Sequence, residues 1–565
     1  MNISSLFRRK RFSDIMAHAS EFSESEVHLK KNLRVIDLIA LAIAAIIGGG
    51  IFSTIGTAAN DGGPAVSLLF VFTALACSFS ALCYAEFASR IPLSGSAYTY
   101  AYASMGELVA WIIGWDLLME YSVGNIAVAI SWSEYFTGFI HGFGLHIPEY
   151  LAMNVATARE GFNEVIGLMA KGTLIQDIPQ RAMYGYNAWI NAPTLFDYKI
   201  IMNIPAFMIV SFVTFLVYIG IKESKNASNL MVLLKLIVIL MVIAVGAFYI
   251  NTDNWTPFAP NGFVGVMKGV SAVFFAYIGF DAISTTAEEC KNPQRDLPKA
   301  MIWSLIICTI LYVLIALVMT GMVSYQQLAV ADPLAYIFKV VHLDWFSGLV
   351  AFSAIIAMAS VLLVFQVGQP RIWMSMSRDG LLPKRFAKIH PKYKTPSYST
   401  LVTGLVVGVP SLFMNLEAVT DLTSIGTLFA FVIICLGVLS YGNESSEQRP
   451  KFKVYYINGK YIIPALSVLL FALVNYLKPT FVKDVFTNFY NNIPLTMFLI
   501  LLVVISVFAF IKRLSLIPTL GLIINLYLMS ELTVVNWLRF GIWLIVGLVI
   551  YFLYSYKHSK LRNIV

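Results

Sequence analysis

The chain has 565 residues, of which 58% are hydrophobic and only 12% are charged, and its mean hydropathy is +0.76. Soluble globular proteins carry about 25% charged residues, so this composition excludes that class. The net charge of +8 does not point to nucleic acid, because the lysines and arginines lie in loops and tails. Many apolar runs reach the roughly 20 residues that span a bilayer. The sequence therefore predicts an all-α polytopic membrane protein.

Residues 1–32 are polar and mixed in charge, and no short apolar segment with a small-residue cleavage site follows their arginines. This pattern argues against a signal peptide. We expect a cytoplasmic N-terminal tail, either flexible or forming an amphipathic helix on the membrane surface.

The first apolar run, Val35–Gly56, is interrupted by Gly48, Gly49 and Gly50. Glycine is roughly 1 kcal/mol worse than alanine in a helix interior, and unwound backbone in hydrocarbon leaves N–H and C=O groups without partners. Secondary transporters bind substrate at such breaks, where a half-helix N-terminus is directed at an anionic group. The alternative is close helix packing through small residues.

Asp116 and Glu120 lie four residues apart in the third apolar run, Leu108–Ile140, and therefore share a helix face. Ionisable residues inside a membrane cost roughly 2.5–3.5 kcal/mol at the helix centre. We expect these two to face the substrate path or to pair with Lys235. For Asp116 the alternative is a position near the membrane surface.

Residues 141–199 form a long polar loop after the third run. Helical spacing with mixed polarity at Met153–Ala170 favours an extracellular cap that contains a helix. The alternative is a disordered insertion.

Lys235 stands in the middle of the fifth apolar run, Leu230–Ile250. Its ammonium group cannot easily reach water from that depth. One interpretation is an internal cation that supports the broken first span, or a proton carrier in coupled transport. The other is a permanent ion pair that holds the helices together.

A second break is predicted in the sixth run, Met267–Ala287, which carries a glycine and Asp281 at membrane depth. Interrupted segments at corresponding positions of two halves indicate a transporter site, and breaks in the first and sixth spans indicate two five-helix repeats. Asp281 can pair with the face of Glu120 or with the helix end, or be purely structural. Phe274 and Phe275 either close over a small substrate or only pack.

Loop charges alternate along the chain, which predicts about fourteen spans with both termini inside. Two loops, Ala287–Pro298 and Met376–Pro383, are expected to be ordered and can form an inner gate of salt bridges; the alternative is a solvated surface. We expect a transport core at 33–441, a cytoplasmic loop at 442–460, four peripheral helices within 461–556 and a cytoplasmic tail at 557–565. The predicted spans are Val35–Gly56, Pro64–Ser89, Leu108–Ile140, Ile200–Ile221, Leu230–Ile250, Met267–Ala287, Ala300–Val323, Phe346–Arg371, Ser399–Leu412, Leu422–Ser440, Tyr461–Tyr476, Pro494–Ile511, Leu516–Met529 and Val535–Tyr554.

The sequence contains no zinc-ligand spacing, nucleophile–base pair or phosphate-binding glycine loop. Its seven histidines lie outside mid-membrane positions, and its five cysteines form no disulfide framework. We therefore expect no metal, no cofactor and no enzyme activity.

Several stretches together carry a family resemblance. The chain resembles the amino acid–polyamine–organocation superfamily, and within it the cationic amino-acid transporter family, from about Leu33 to His558. This resemblance implies a five-plus-five inverted-repeat core with broken helices 1 and 6, followed by four peripheral helices. The stretches are Ile47–Phe52, Ser89–Tyr100, Phe274–Asp281, Ala287–Pro298, Gly368–Arg371, Met376–Pro383 and Trp537–Tyr554.

The resemblance also implies where an amino acid binds. Its carboxylate would meet backbone amides in the break Gly48–Gly50, at Gly49 and Gly50. Its ammonium group would meet the carbonyls of Ile46, Phe275, Ala276 and Ile278.

Two further points follow from the same resemblance. Lys235 matches the position that replaces a sodium ion in proton-coupled members, which favours protons over sodium. Family members often have alanine or threonine where Gly49 stands, and the loop 141–199 is longer than expected.

We expect a secondary-active permease that moves cationic or small neutral L-amino acids across the plasma (inner) membrane by alternating access, coupled to protons or by exchange. Its partners would be the amino acid, protons and the lipid bilayer. The alternative is a sensor that binds an amino acid without transport, which would usually add a soluble signalling domain. A membrane enzyme would need a polar catalytic cluster, and a channel a continuous polar path.

Overall fold

The computed structural model describes residues 6–10, 33–91, 95–175, 178–220, 224–330, 332–441, 451–477 and 492–562, with residues 479, 480, 483, 487 and 490. These residues are mostly helical, and the sheet among them is one two-stranded hairpin. Most of the predicted N-terminal tail and the first part of the predicted 442–460 loop lie outside the described residues.

The helices that precede and include the two breaks follow the predicted order. A π-helical turn, Gly50–Thr54, joins the first break to α2. The hairpin strands β1 (Thr194–Leu195) and β2 (Tyr198–Lys199) pair in antiparallel register. The helices are α1 (Val35–Ile46), α2 (Ile55–Gly62), α3 (Val66–Arg90), α4 (Ser96–Ser104), α5 (Glu107–His141), α6 (Val155–Ala170), α7 (Gln180–Asn191), α8 (Ile204–Ile219), α9 (Ser224–Ala247), α10 (Gly262–Lys268) and α11 (Val270–Phe275).

The second half continues with long helices to the end of the chain. A second π-helical turn, Tyr551–Ser555, extends α20 into α21. The helices are α12 (Pro293–Met322), α13 (Pro333–Val340), α14 (Asp344–Arg378), α15 (Ser397–Ser411), α16 (Leu416–Tyr441), α17 (Ile462–Leu477), α18 (Ile493–Lys512), α19 (Leu516–Ser530), α20 (Val534–Ile550) and α21 (Tyr556–His558).

Seven helical stretches of the described chain are long and apolar enough to cross a membrane. Shorter apolar helices accompany them at Val35–Ile46, Ile204–Ile219, Ile462–Tyr476 and Leu516–Ser530. These findings confirm an all-α polytopic membrane protein, while fourteen remains the predicted number of spans. The seven stretches are Gly50–Arg90, Asn229–Ala247, Pro293–Met322, Asp344–Arg378, Leu416–Ser440, Ile493–Lys512 and Val534–His558.

Two helices and one hairpin lie where the sequence predicted loop. Helix α4 lies just before α5, the helix of the predicted third span. Helix α7 and the β-hairpin lie in the loop 141–199. Both helices are short and lack a long apolar run, so hydropathy alone did not reveal them. The loop is an ordered helical hairpin of α6 and α7, in which Gly161 and Gly185 pack backbone against backbone.

Corresponding helices of the two halves pack against each other in pairs. Helix α3 packs on α12, α5 on α14, and α8 on α15. Helices α5 and α14 each contain 35 residues. They run antiparallel, since Tyr121 contacts Phe365, while Phe139, later in α5, contacts Phe352, which is earlier in α14. This pairing fits the two five-helix repeats that the sequence predicts.

Both described chain ends lie on one face of the molecule, where they meet Glu107 and Asp379. We call this arrangement the terminal clasp. The Lys10 ammonium group pairs with the Asp379 carboxylate, and the Tyr98 hydroxyl donates to the same carboxylate at 2.8 Å. Burial raises the pKa of Tyr98, so its hydroxyl stays protonated as a donor. The Glu107 amide donates to the Arg8 carbonyl at 3.1 Å.

The C-terminal segment completes the terminal clasp at the same two acidic residues. The Tyr551 hydroxyl donates to the Glu107 carboxylate at 3.0 Å, and the Ser559 hydroxyl donates to it as well. The Lys560 amide donates to the Asp379 carbonyl at 3.1 Å. Asp379, predicted within an inner gate of salt bridges, therefore pairs with a residue of the N-terminal segment.

Candidate functional site

The first break lies between the end of α1 and the π-helical turn. Ile47 is extended (φ −80°, ψ 99°), and the amides of Ile51 and Phe52 both donate to the Gly48 carbonyl at 3.2 Å. Because a helix restarts at Gly50, the amides of its first turn have no acceptor inside that helix. The break is buried, as the sequence predicted for an interrupted membrane helix.

The second break follows α11 and is longer than the sequence predicted. The apolar run Met267–Ala287, in which a break was predicted, contains the end of α10, then α11, a turn and most of a 3₁₀ segment at Ala282–Glu289. Gly279 adopts φ +116° in that turn, a conformation that glycine reaches without strain. This position of the turn therefore favours glycine.

The two breaks touch each other through backbone atoms. A Cβ added at Gly50 would lie 2.3 Å from the Cα of Ala276, and one added at Gly279 would lie 2.8 Å from the Cβ of Ala45. A Cβ at Gly48 would meet a Val361 methyl at 2.5 Å. At Gly50 and Gly279 the neighbouring segment approaches too closely for a side chain, whereas at Gly48 an added Cβ would meet only the Val361 side chain.

Gly49 differs from the other break glycines. A Cβ there would lie 3.3 Å from the Ser131 hydroxyl and 3.6 Å from the Phe275 ring. The Ser131 hydroxyl is buried and has no hydrogen-bond partner among the described residues. This side of the break therefore faces one polar and one aromatic group.

Lys235 supports the end of α1. Its ammonium group donates to the carbonyls of Ala44 at 3.0 Å and Ile47 at 2.9 Å, and to the Ser360 hydroxyl at 3.2 Å. Three acceptors match the three hydrogens of an ammonium group. The suggested pairing of Lys235 with Asp116 or Glu120 is wrong, because these acceptors, and not a carboxylate, surround the nitrogen.

Tyr312 of α12 joins the two breaks. Its hydroxyl is 2.9 Å from the Ile46 carbonyl and 2.8 Å from the Ala276 carbonyl, so both carbonyls are within donation distance. Both carbonyls stand at the C-terminal ends of half-helices, where backbone acceptors lack intrahelical partners. The sequence analysis missed this residue, although a tyrosine in the middle of an apolar run signals a hydroxyl that needs a partner.

Asp116, Glu120 and Asp281 form one buried carboxyl cluster. Each side chain is at most 2% exposed, and Glu120 lies close enough to both others to interact electrostatically. Both carboxyl oxygens of Asp116, one of Glu120 and one of Asp281 have no hydrogen-bond partner among the described residues. Asp116 is buried inside the protein and Asp281 lies near Glu120, while the roles of the three residues stay predictions.

The remaining predicted site residues lie around the second break. Phe275 and Ile278 are at most 6% exposed, and Ala276 is fully buried. Phe274 contacts Phe431 edge to face, so it packs in the core, whereas Phe275 faces Gly49. Among the described residues, no group of three or more histidines, cysteines and acids is arranged to hold a metal ion.

Comparison with known proteins identifies the family of the chain. A family model described as amino acid permease matches residues 33–505, and one described as the C-terminus of that permease matches residues 514–559. The chain is 40% identical to the branched-chain amino acid permease BcaP of Bacillus subtilis (strain 168), over 99% of both chains.

Two other relatives cover nearly the whole chain. The methylthioribose transporter of the same organism is 36% identical over 99% of this chain and 100% of its own. Cationic amino acid transporter 4 of Homo sapiens is 30% identical over 96% of this chain and 89% of its own. Since the family consists of transporters, the chain acts as an amino-acid transporter and not as an enzyme. It belongs to the amino acid permease family of the amino acid–polyamine–organocation superfamily.

Proposed function

We propose that an L-amino acid binds at the junction of the two breaks. The amides of Gly49 and Gly50 receive its carboxylate, since a half-helix N-terminus favours an anion. The carbonyls of Ile46, Phe275, Ala276 and Ile278 receive its ammonium group. The observation that carries this proposal is the backbone contact of Gly50 with Ala276, which brings a helix N-terminus and free carbonyls to one place.

The preferred substrate is a neutral L-amino acid with a small or branched apolar side chain. Phe275, Ile278 and Val361 stand around the junction, and a relative at 40% identity is named a branched-chain permease. A second candidate is a cationic amino acid, which the buried carboxyl cluster would favour and which a 30% identical relative is named for.

Transport is driven by protons or proceeds by exchange. The carboxyl cluster has oxygens that no described protein group satisfies, and a buried carboxyl oxygen needs a proton, a water molecule or a cation. The cluster therefore offers a place where a proton is taken up and released. The Lys235 ammonium group supports the first break, where the substrate is proposed to bind. A change at Lys235 therefore alters substrate binding, and substrate binding alters the surroundings of Lys235.

Alternating access fits the paired helices of the two halves. One half would rock against the other around the junction of the breaks. The protein would act in the plasma (inner) membrane with both termini cytoplasmic, because basic loops favour the cytoplasmic side and the chain ends lie on one face.

Uptake into proteoliposomes tests this function. Labelled leucine, alanine and arginine are supplied separately, with and without an inward proton gradient. We expect saturable, stereoselective uptake of leucine that increases with the gradient. Arginine uptake without leucine uptake would replace the neutral substrate by a cationic one. Leucine binding without uptake would favour a sensor, and uptake of methylthioribose alone would overturn the amino-acid site.

Lys235→Ala tests the coupling. It removes three hydrogen bonds from the first break, so we expect uptake at least tenfold lower and no response to the proton gradient. Lys268→Ala is the matched control, because Lys268 is exposed at the end of α10. An unchanged gradient response in Lys235→Ala would remove Lys235 from the coupling mechanism.

A further inference from the structure

Tyr312 has an arrangement that the binding proposal does not yet use. It is fully buried near the middle of α12. Its ring packs against Phe70 at 5.5 Å and against Tyr277 at 5.4 Å between centroids. Only its hydroxyl reaches the breaks, where it lies between the carbonyls of Ile46 and Ala276. The ring therefore fixes where the hydroxyl stands.

A hydroxyl has one hydrogen but faces two acceptors here. At 2.9 and 2.8 Å both carbonyls are within donation distance, yet one O–H can saturate only one of them at a time. Leaving a buried carbonyl without a donor is unfavourable. The substrate-free junction thus contains one carbonyl short of a donor, between the ends of the two half-helices.

We propose that Tyr312 positions the two carbonyls for the α-ammonium group of the substrate and so makes the carrier selective for amino acids. The ammonium group supplies the missing donor to one carbonyl, and the hydroxyl then donates fully to the other. The hydroxyl oxygen, which retains lone pairs, accepts a hydrogen bond from the ammonium group. This inference rests on the proposed binding site at the junction.

The same hydroxyl is a tie between the halves of the protein. Ile46 ends α1 and Ala276 follows α11, so one side chain fastens the two discontinuous segments at their C-terminal ends. Lys235 contributes nothing to the second break, because its donors go to α1 and to Ser360. Tyr312 therefore adds a side-chain link between the two breaks to the backbone contacts at Gly50 and Gly279.

Tyr312→Phe removes the hydroxyl and keeps the ring. We expect the KM for leucine uptake to rise about tenfold, with kcat changed less, because one charge-assisted hydrogen bond and the tie are lost. We also compare inhibition by L-leucine and by its α-hydroxy acid analogue, which carries a hydroxyl in place of the ammonium group. The inhibition constant of the hydroxy acid divided by that of L-leucine should fall in the variant, since the preference for an ammonium group is weakened.

Tyr277→Phe is the matched control. Tyr277 belongs to the same ring cluster, and its hydroxyl donates to the Phe70 carbonyl at 3.0 Å instead of to a break carbonyl. Its KM and its ratio of inhibition constants should match the wild type. An unchanged ratio in Tyr312→Phe, or an equal change in both variants, would overturn the inference, because a merely structural role lowers affinity for both inhibitors alike.

The thermal unfolding of the substrate-free protein gives a measurement that does not depend on transport. Each of Tyr312→Phe and Tyr277→Phe removes one O–H donor, but only Tyr312→Phe also removes the link between the two breaks, so it should lower the unfolding midpoint more. Equal midpoints would overturn the tie. If the wild type took up no amino acid, the proposed function would fail and the ammonium role with it, while the midpoints would still decide whether Tyr312 ties the breaks.

Discussion

At the scale of single residues, the junction is defined by how closely backbone atoms approach. Gly50 leaves no room for a side chain against Ala276, whereas a Cβ at Gly49 would lie 3.3 Å from the Ser131 hydroxyl, a tight contact, and 3.6 Å from the Phe275 ring, an ordinary one. Backbone cannot yield as a flexible side chain can, so the two neighbouring glycines differ in what they tolerate. The site residues themselves stay a prediction until uptake is measured.

Alanine at Gly50 and at Gly49 tests whether transport requires the close backbone approach itself or simply a glycine at each position. Gly50→Ala should abolish uptake, because its Cβ would lie 2.3 Å from the Ala276 Cα and 2.9 Å from its nitrogen. Gly49→Ala should retain most uptake, since its nearest neighbour would be a hydroxyl at 3.3 Å. Initial rates of leucine uptake, corrected for protein in the vesicles, measure both. Equal loss in the two variants would contradict the contact between the breaks.

Sequence reasoning found the breaks but not their partners. Three glycines in an apolar run, and a glycine with Asp281 in another, are local patterns that a single sequence displays. The partners of a side chain depend on residues far away in the sequence. In the sequence Tyr312 is like any tyrosine in a membrane helix, and Lys235 is as compatible with a carboxylate partner as with the carbonyls of α1. Only the packing of α12 and α9 against α1 decides these contacts.

At the scale of elements, the α6–α7 hairpin is a separate unit outside the paired helices. It has small cores of its own, one of which contains Ala158, Ala188 and Ile201. Gly161 and Gly185 let the two helices meet closely. Hydropathy predicted α6 and missed α7, because α7 is short and carries polar residues between its buried ones. Its stability should therefore change independently of transport.

Gly161→Ala should loosen the hairpin without changing transport. The added Cβ would lie 2.7 Å from the Gly185 Cα and 2.9 Å from the Ala182 carbonyl oxygen, which costs roughly 1–3 kcal/mol. Limited proteolysis should then cut within 141–199 faster, with leucine uptake unchanged. Gly167→Ala, on the same helix with no atom within 4 Å, should cut no faster than the wild type. Reduced uptake in Gly161→Ala would show that the hairpin takes part in transport.

At the scale of the whole molecule, the terminal clasp links the two ends of the chain. Glu107 binds the N-terminal segment through its backbone amide and the C-terminal segment through its carboxylate. Asp379 binds the N-terminal segment through its carboxylate and the C-terminal segment through its backbone carbonyl. Each acidic residue therefore holds both ends. No sequence pattern predicts this arrangement, because Lys10 and Asp379 are 369 positions apart in the chain.

Lys10→Ala should loosen both ends together. The ion pair with Asp379 is partly exposed, so its loss should cost at most about 1 kcal/mol. Hydrogen exchange should become faster at residues 6–10 and, through Asp379, at residues 559–560. Lys560→Ala is the control, because that side chain is exposed and only its backbone amide takes part. Faster exchange confined to residues 6–10 would contradict a shared clasp.

The terminal clasp also has a consequence for biosynthesis. A ribosome adds roughly 5–20 residues per second, so the 369 residues between Lys10 and Asp379 take roughly 20–70 s to follow the N-terminal segment. Ser559, which binds Glu107 across 452 residues, arrives later still. Until Asp379 is inserted, the N-terminal segment lacks the ion pair of Lys10, and until Ser559 is inserted the clasp lacks its C-terminal contacts. Closure of the clasp therefore distinguishes a finished transporter from a truncated one.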